Sequence, residues 1–347
     1  MNREDSDLKS IATRAAQTTT EYEFRVREWG EEVALAGLVE IAQALNDDHF
    51  ERFVRGLMAR WIAENPGPDA REHLAPGRVL TTLATRADPD GSLFERAYRL
   101  AEFFRELPRD SLGVRLHCPA GSRYAQCALV DCMYVDGPFL ALLGAVTGDD
   151  SLQETASECL LSHARVLQDK KSGLFAHMYD SRSQQTNGVA WGRGNGWALL
   201  GLSETSLAMP TTHASYGEIH ERLLRLLHAL IHHQEDDGHW HTVLDDRNTY
   251  TETSVAAMVA ATPLSSLAAE EFHVYSEMQR RAREATLRST SAETGILWGV
   301  STATPPGYSH DHYNRIAQGR EAFPWGQGPL LLTLARWALH EQTDPLR

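Results

Sequence analysis

Cysteine is scarce: the chain has four in 347 residues, at positions 118, 127, 132 and 159, and no two of them form a CxxC pair. That excludes a dense disulfide framework and the common paired-cysteine zinc spacings, so thiols in a reducing compartment are expected. Long apolar runs are missing as well. Nothing approaches the roughly 20 unbroken apolar residues of a bilayer span, and the opening MNREDSDLKS lacks the basic and apolar regions of a secretory leader. Both absences predict a cytoplasmic protein that does not enter a membrane. Positive charge is in deficit, with 33 Lys+Arg against 47 Asp+Glu and a net charge of −14. Nucleic acid and anionic lipid surfaces are therefore poor partners. No Pro/Ser/Gly-rich linker divides the sequence, which favours a single domain over 1–347.

What the sequence does contain is a coarse repeat. Apolar stretches opened by small residues read WGEEVALAGLVEIA from Trp29, PGRVLTTLAT from Pro76, DGPFLALLGAVTG from Asp136, GNGWALLGLSETS from Gly194, ETSVAAMVAAT from Glu252 and GQGPLLLTLARWAL from Gly326. Their low charge suits helices buried nearly all round. Between them lie amphipathic segments starting at His49, Ser92, Ser151, Tyr216 and Ala268, with apolar residues at i, i+3, i+4 and i+7. LKSIATRAAQTTT supplies a sixth, within an N-terminal segment, 1–25, expected to pack loosely. The alternation predicts an all-α fold, an (α/α)6 barrel of six inner and six outer helices, with an ordinary helical protein as the alternative. Turn glycines Gly113, Gly173, Gly238 and Gly295, each followed by a short apolar or aromatic run, recur 57 to 65 residues apart. They predict brief strands at one barrel mouth.

Chemistry concentrates before two inner helices, where a barrel mouth would hold a pocket. In RYAQCALVDCMYVDGPFLALLGAVTGDD, Asp131 and Asp136 stand five residues apart ahead of an almost uncharged run. A carboxyl in so apolar a setting would hold its proton near neutral pH and serve as an acid; helix capping is the competing reading. In NGVAWGRGNGW, residues 187–197, Trp191 and Trp197 offer faces for stacking on sugar rings. Arg193 between them offers a fork for a carboxylate, and the glycines allow close backbone approach. Core packing is the alternative for the tryptophans.

The runs RYAQCALVDCMYVDGPFLA, GLFAHMYD, AWGRGNGWALLGL and FPWGQGPLLLTLARW resemble those of the unsaturated glucuronyl and rhamnogalacturonyl hydrolases, glycoside hydrolase families 88 and 105, the rhamnogalacturonyl branch more closely. The resemblance covers most of the chain from Trp29 onward, and that family has an (α/α)6 barrel. It implies a hydrolase that needs no cofactor or metal and acts on a small partner, an unsaturated uronyl oligosaccharide. Release of the 4,5-unsaturated uronic acid follows hydration of its enol ether, with a rhamnogalacturonan-type disaccharide favoured. It further implies Asp131 as the acid and then base, and His177, Trp191, Arg193, Trp197, Trp29 and Tyr313 as residues near the sugar, with Asp136 added as a departure from the family pattern. Another departure is the region REHLAPG, where Glu72 or His73 would stand in for a second acidic residue. An acidic protein binding an anionic sugar needs local positive charge, expected from Arg193, Arg123 or Arg315. A zinc barrel using His117, Cys118, Cys127 and Cys132, a non-catalytic sugar binder, and a glycosidase for saturated sugars are the competing functions.

Overall fold

The computed structural model describes residues 3–26, 28–67, 74–116 and 124–343, with the side chains of 3–6, 29 and 338–343 outside the description. After α1 (Arg3–Thr20) on the outside, inner and outer helices alternate. They are α2 (Trp29–Leu45), α3 (His49–Glu64), α4 (Gly77–Arg86), α5 (Ser92–Glu106), then α6 (Cys132–Val135) and α7 (Gly137–Thr147), which together make the third inner helix. They continue with α8 (Asp150–Leu167), α9 (Gly192–Ala208), α10 (Tyr216–His233), α11 (Thr253–Ala261) and α12 (Ala269–Arg288); a short α13 (His310–Asn314) precedes the last inner helix, α14 (Pro324–Thr343). Each inner helix touches the next, and α14 packs along α2 to close the ring. The fold is an (α/α)6 barrel.

Sequence explains which helix goes where. Every described side chain of α9 from Gly192 to Ser206 is buried, whereas α10 buries only Ile219, Leu223, Leu226, Leu227, Ala229 and Leu230 along one stripe. Those six residues and their counterparts fasten the outer layer, at roughly 1.5–3 kcal/mol for each large aliphatic side chain removed from water. The small residues of the inner helices let backbones meet: a Cβ at Gly201 of α9 would lie 2.3 Å from the Met133 carbonyl oxygen of α6. In the N-terminal segment, α1 contacts α2, α3 and α14 and buries Ala12, Ala15 and Ala16.

The recurring glycines occupy the same turn after four outer helices. Gly113, Gly173, Gly238 and Gly295 all have φ between 70° and 88°, a backbone region that a side chain disfavours. The turns close through equivalent hydrogen bonds, Asp110 N–H to Val114 O, Asp169 to Leu174, Glu235 to His239 and Ser291 to Ile296. Each turn then sends the chain toward the mouth where the inner helices begin. There lie β1 (Cys127–Leu129), β2 (Met178–Asp180), β3 (Gln185–Thr186), β4 (Trp240–His241), β5 (Thr251–Glu252), β6 (Val300–Ser301) and β7 (Gln318–Gly319), paired antiparallel as β1–β2–β3, β4–β5 and β6–β7.

Candidate active site

Pairing of β1 with β2 in the register Leu129↔Met178 brings the residues flanking the two strands side by side. Val130 N–H donates to the His177 carbonyl at 3.0 Å, and His177 N–H donates to the Val189 carbonyl at 3.0 Å. Asp131 thus arrives next to His177 and just before α6. Its side chain forms no capping bond to that helix, so the capping reading fails here. Oδ2 is buried and accepts no hydrogen bond; His177 Nε2 lies 3.6 Å from it, beyond hydrogen-bond reach. The His177 ring stacks on Trp191 with centroids 4.1 Å apart. Its Nδ1 lies 2.8 Å from the Tyr313 hydroxyl. Burial lowers the His177 pKa, with Asp131 pulling the other way.

Asp131, His177, Trp191 and Tyr313 therefore form one cluster. Arg193 joins it from behind, its guanidinium 4.7 Å from the Trp191 ring, with both Nη groups engaged by the protein and Nε without a partner among the described residues. Nη1 donates to Glu252 Oε1 at 2.7 Å and to Ser301 O and Oγ at 2.9 Å, while Nη2 donates to Thr302 O and Thr304 Oγ1 at 2.9 Å. Both Nη groups, from which a grip on a substrate carboxylate was expected, are thus tied into the fold. Trp197, one and a half turns into α9, is buried and stacks on Tyr134 at 5.2 Å. Asp136 is buried at the α6–α7 junction, where its charge bears on Glu32, Cys132 and Cys159. Arg315 is exposed and paired with Asp311 at 2.7 Å. The Trp29 side chain, Glu72, His73, His117, Cys118 and Arg123 lie outside the described residues, although Trp29 does open α2. No three or more His, Cys, Asp or Glu among the described residues are grouped to hold a metal. Nor is any described helix long and apolar enough to cross a membrane.

The family model for Glycosyl Hydrolase Family 88 matches residues 6–338. The chain belongs to that family. This glycoside hydrolase is 28% identical to unsaturated rhamnogalacturonyl hydrolase YesR of Bacillus subtilis, an alignment covering 96% of this chain and 95% of YesR. In structure it resembles a Salmonella enterica serovar Paratyphi A protein described as a possible GH105 member, at TM-score 0.86 and 21% identity, covering 97% of this chain and 95% of the other. It also resembles the unsaturated glucuronyl hydrolase of Bacillus sp. GL1, at TM-score 0.73 and 15% identity, covering 96% and 95%.

Three polar residues of the hydrolase went unnoticed in the sequence. Asn187 sits at the start of the very NGVAWGRGNGW run that drew attention, and Glu252 immediately precedes the fifth inner helix, as Asp131 and Trp191 precede theirs. The third, Glu32 of WGEE, reaches from α2 to the start of α4, where Oε1 accepts the Arg78 N–H at 2.8 Å. Burial pushes its pKa up from 4.5 to about 8, against the pull of Arg78. Between those two values the folded chain holds a proton that the unfolded chain has released, so stability falls as pH rises through that window. Glu32→Gln removes the penalty. Relative to wild type, the variant is expected to gain up to about 4 kcal/mol between pH 4.5 and 8, measured by denaturant unfolding at both ends; a gap independent of pH would contradict it.

Proposed function

We propose that this hydrolase removes a 4,5-unsaturated uronic acid from the non-reducing end of lyase-generated oligosaccharides, with a rhamnogalacturonan-type disaccharide as the favoured substrate. The observation that carries the reading is the Asp131 carboxyl group, which is buried at the mouth, caps no helix and has an oxygen that accepts no hydrogen bond. Such an oxygen is uncommitted to the hydrogen bonds of the fold. The full-length similarity to YesR supports the substrate class.

The chemistry needs one carboxyl group used twice. Protonated Asp131 gives its proton to C4 of the enol ether, and the C4=C5 electron pair forms the new C–H bond while the ring oxygen shares the positive charge at C5. Water adds at C5, and the Asp131 carboxylate takes the proton that the water loses. The product is a hemiketal at C5. It opens to a ketone, which leaves a hemiacetal at C1 that expels the aglycone alcohol. One water has been consumed and Asp131 is protonated again. This differs from hydrolysis at the anomeric carbon, where two carboxyl groups flank the scissile bond and their spacing sets the stereochemistry. Trp191, stacked on His177, places an aromatic ring in the same cluster.

The deciding assay mixes the enzyme with disaccharide products of pectic, ulvan and glycosaminoglycan lyases and follows the ultraviolet absorbance of the conjugated enol ether. Loss of absorbance with release of the aglycone supports the proposal, and fastest loss on the rhamnogalacturonan product supports its finer form. Unchanged absorbance across the panel, or cleavage of saturated uronides instead, would refute it.

A further inference from the structure

The Tyr313 hydroxyl lies at the centre of a fixed set of hydrogen bonds whose polarity can be counted. Asn187 cannot be turned around: its Oδ1 accepts the Met178 N–H at 3.2 Å, and its Nδ2 donates to the Gly307 carbonyl at 2.7 Å. The second Nδ2 proton therefore goes to the Tyr313 hydroxyl at 3.1 Å. The Gly307 N–H also donates to that hydroxyl, at 3.2 Å. Two donors fill the two lone pairs of the phenol oxygen, which has a single proton of its own to give. The choices for that proton are His177 Nδ1 at 2.8 Å and the Gly307 carbonyl at 3.4 Å, and the second is both longer and already engaged by Asn187. The proton goes to His177, so Nδ1 is an acceptor.

We propose that Asn187, the Gly307 backbone and Tyr313 form a positioning relay that locks His177 in its Nε2–H tautomer and so aims one neutral N–H donor at the Asp131 carboxyl group. The proposal rests on the role given to Asp131 above. Neutrality matters to that role. A cationic imidazole 3.6 Å from Oδ2 would set a full positive charge beside the group that must give a proton to C4, whereas a neutral imidazole faces it with an N–H dipole and no net charge. The other charged and titratable groups bearing on the ring are Arg193 and His312, and both oppose a positive charge there. Tyr313, wholly buried, thereby shifts from the sugar-contacting role implied by family resemblance to one exerted through His177.

The test has two arms on the full chain. In long-range nitrogen–proton NMR of histidine-labelled protein, with the His177 signals assigned by their loss in His177→Gln, the ring is expected as the Nε2–H tautomer at neutral pH. An Nδ1–H tautomer or an imidazolium overturns the proposal. This arm needs no turnover, so its result is independent of whether the substrate reading holds. In the second arm, Tyr313→Phe is expected to show mixed tautomers, a kcat lower by about 10- to 100-fold with KM within about 3-fold, and an acid limb displaced to higher pH. Unchanged kcat, or a fall in kcat with the Nε2–H tautomer intact, overturns it too.

Discussion

Asp131→Asn is expected to lower kcat by at least about 10³-fold, the range of a lost general acid and base, while leaving the fold in place. The amide has the shape of the carboxyl group but no proton that it can transfer to carbon, and no basicity with which to take one from water. Most substitutions of a buried polar residue confound activity with stability. This one does not, because Asp131 neither caps α6 nor accepts a hydrogen bond at Oδ2, and the amide can turn its oxygen toward the His177 N–H. Thermal unfolding should therefore track wild type within the error of the measurement as turnover disappears. Asp136→Asn makes the contrast: that carboxyl group is buried at the α6–α7 junction, so its loss should be read in stability before rate. The check is enol-ether absorbance in single-turnover and steady-state assays beside a melting curve for each variant. Residual Asp131→Asn activity within tenfold of wild type would remove Asp131 from the chemistry.

Much of the fold was legible because its signals are local and repeated. The inner stretches are recognisable since a helix walled in by others needs mostly small or apolar residues on all sides, as α11 has throughout and α9 has apart from Arg193 and Glu204. The glycines at 113, 173, 238 and 295 were legible for a different reason, since a positive φ admits few alternatives. What the residues alone left open about the site is a matter of distance along the chain. Asp131 as cap or acid depends on whether a backbone N–H meets the carboxylate, and residue type leaves both open. Arg193 looked free to bind a carboxylate because its partner, Glu252, lies 59 positions away. Tyr313 meets His177 across 136 positions. Trp191 and Trp197 belong to one motif, yet six residues on a helix turn them apart: one faces His177, the other Tyr134.

The second large effect concerns stability, and it follows from Arg193 and Glu252 being buried together, 1% and 0% exposed. Glu252 is held from several sides, by Arg193, by the Ser254 hydroxyl at 2.6 Å and by the Thr242 hydroxyl at 3.1 Å. Strand β5 supplies the glutamate and β6 supplies Ser301, so one guanidinium fastens both hairpins to the first turn of α9. A pair like this adds little net stability over a well-packed apolar substitute, because desolvation offsets its attraction; removing one member is another matter. Glu252→Ala leaves a guanidinium in a dry interior with dipoles but no counter-charge, and is expected to cost about 3–5 kcal/mol. Arg193→Met strands the carboxylate and should cost as much. Glu252→Ala combined with Arg193→Met should be less destabilised than the sum of the singles, since neither charge then remains unpaired. Arg193→Lys should not rescue, because an ammonium cannot reach Glu252, Ser301, Thr302 and Thr304 at once. Denaturant unfolding of the four variants measures the coupling directly. A cost below about 1 kcal/mol for Glu252→Ala, or strict additivity in the double variant, would mean that the two hairpins are held by packing alone and that Arg193 is free for the substrate after all.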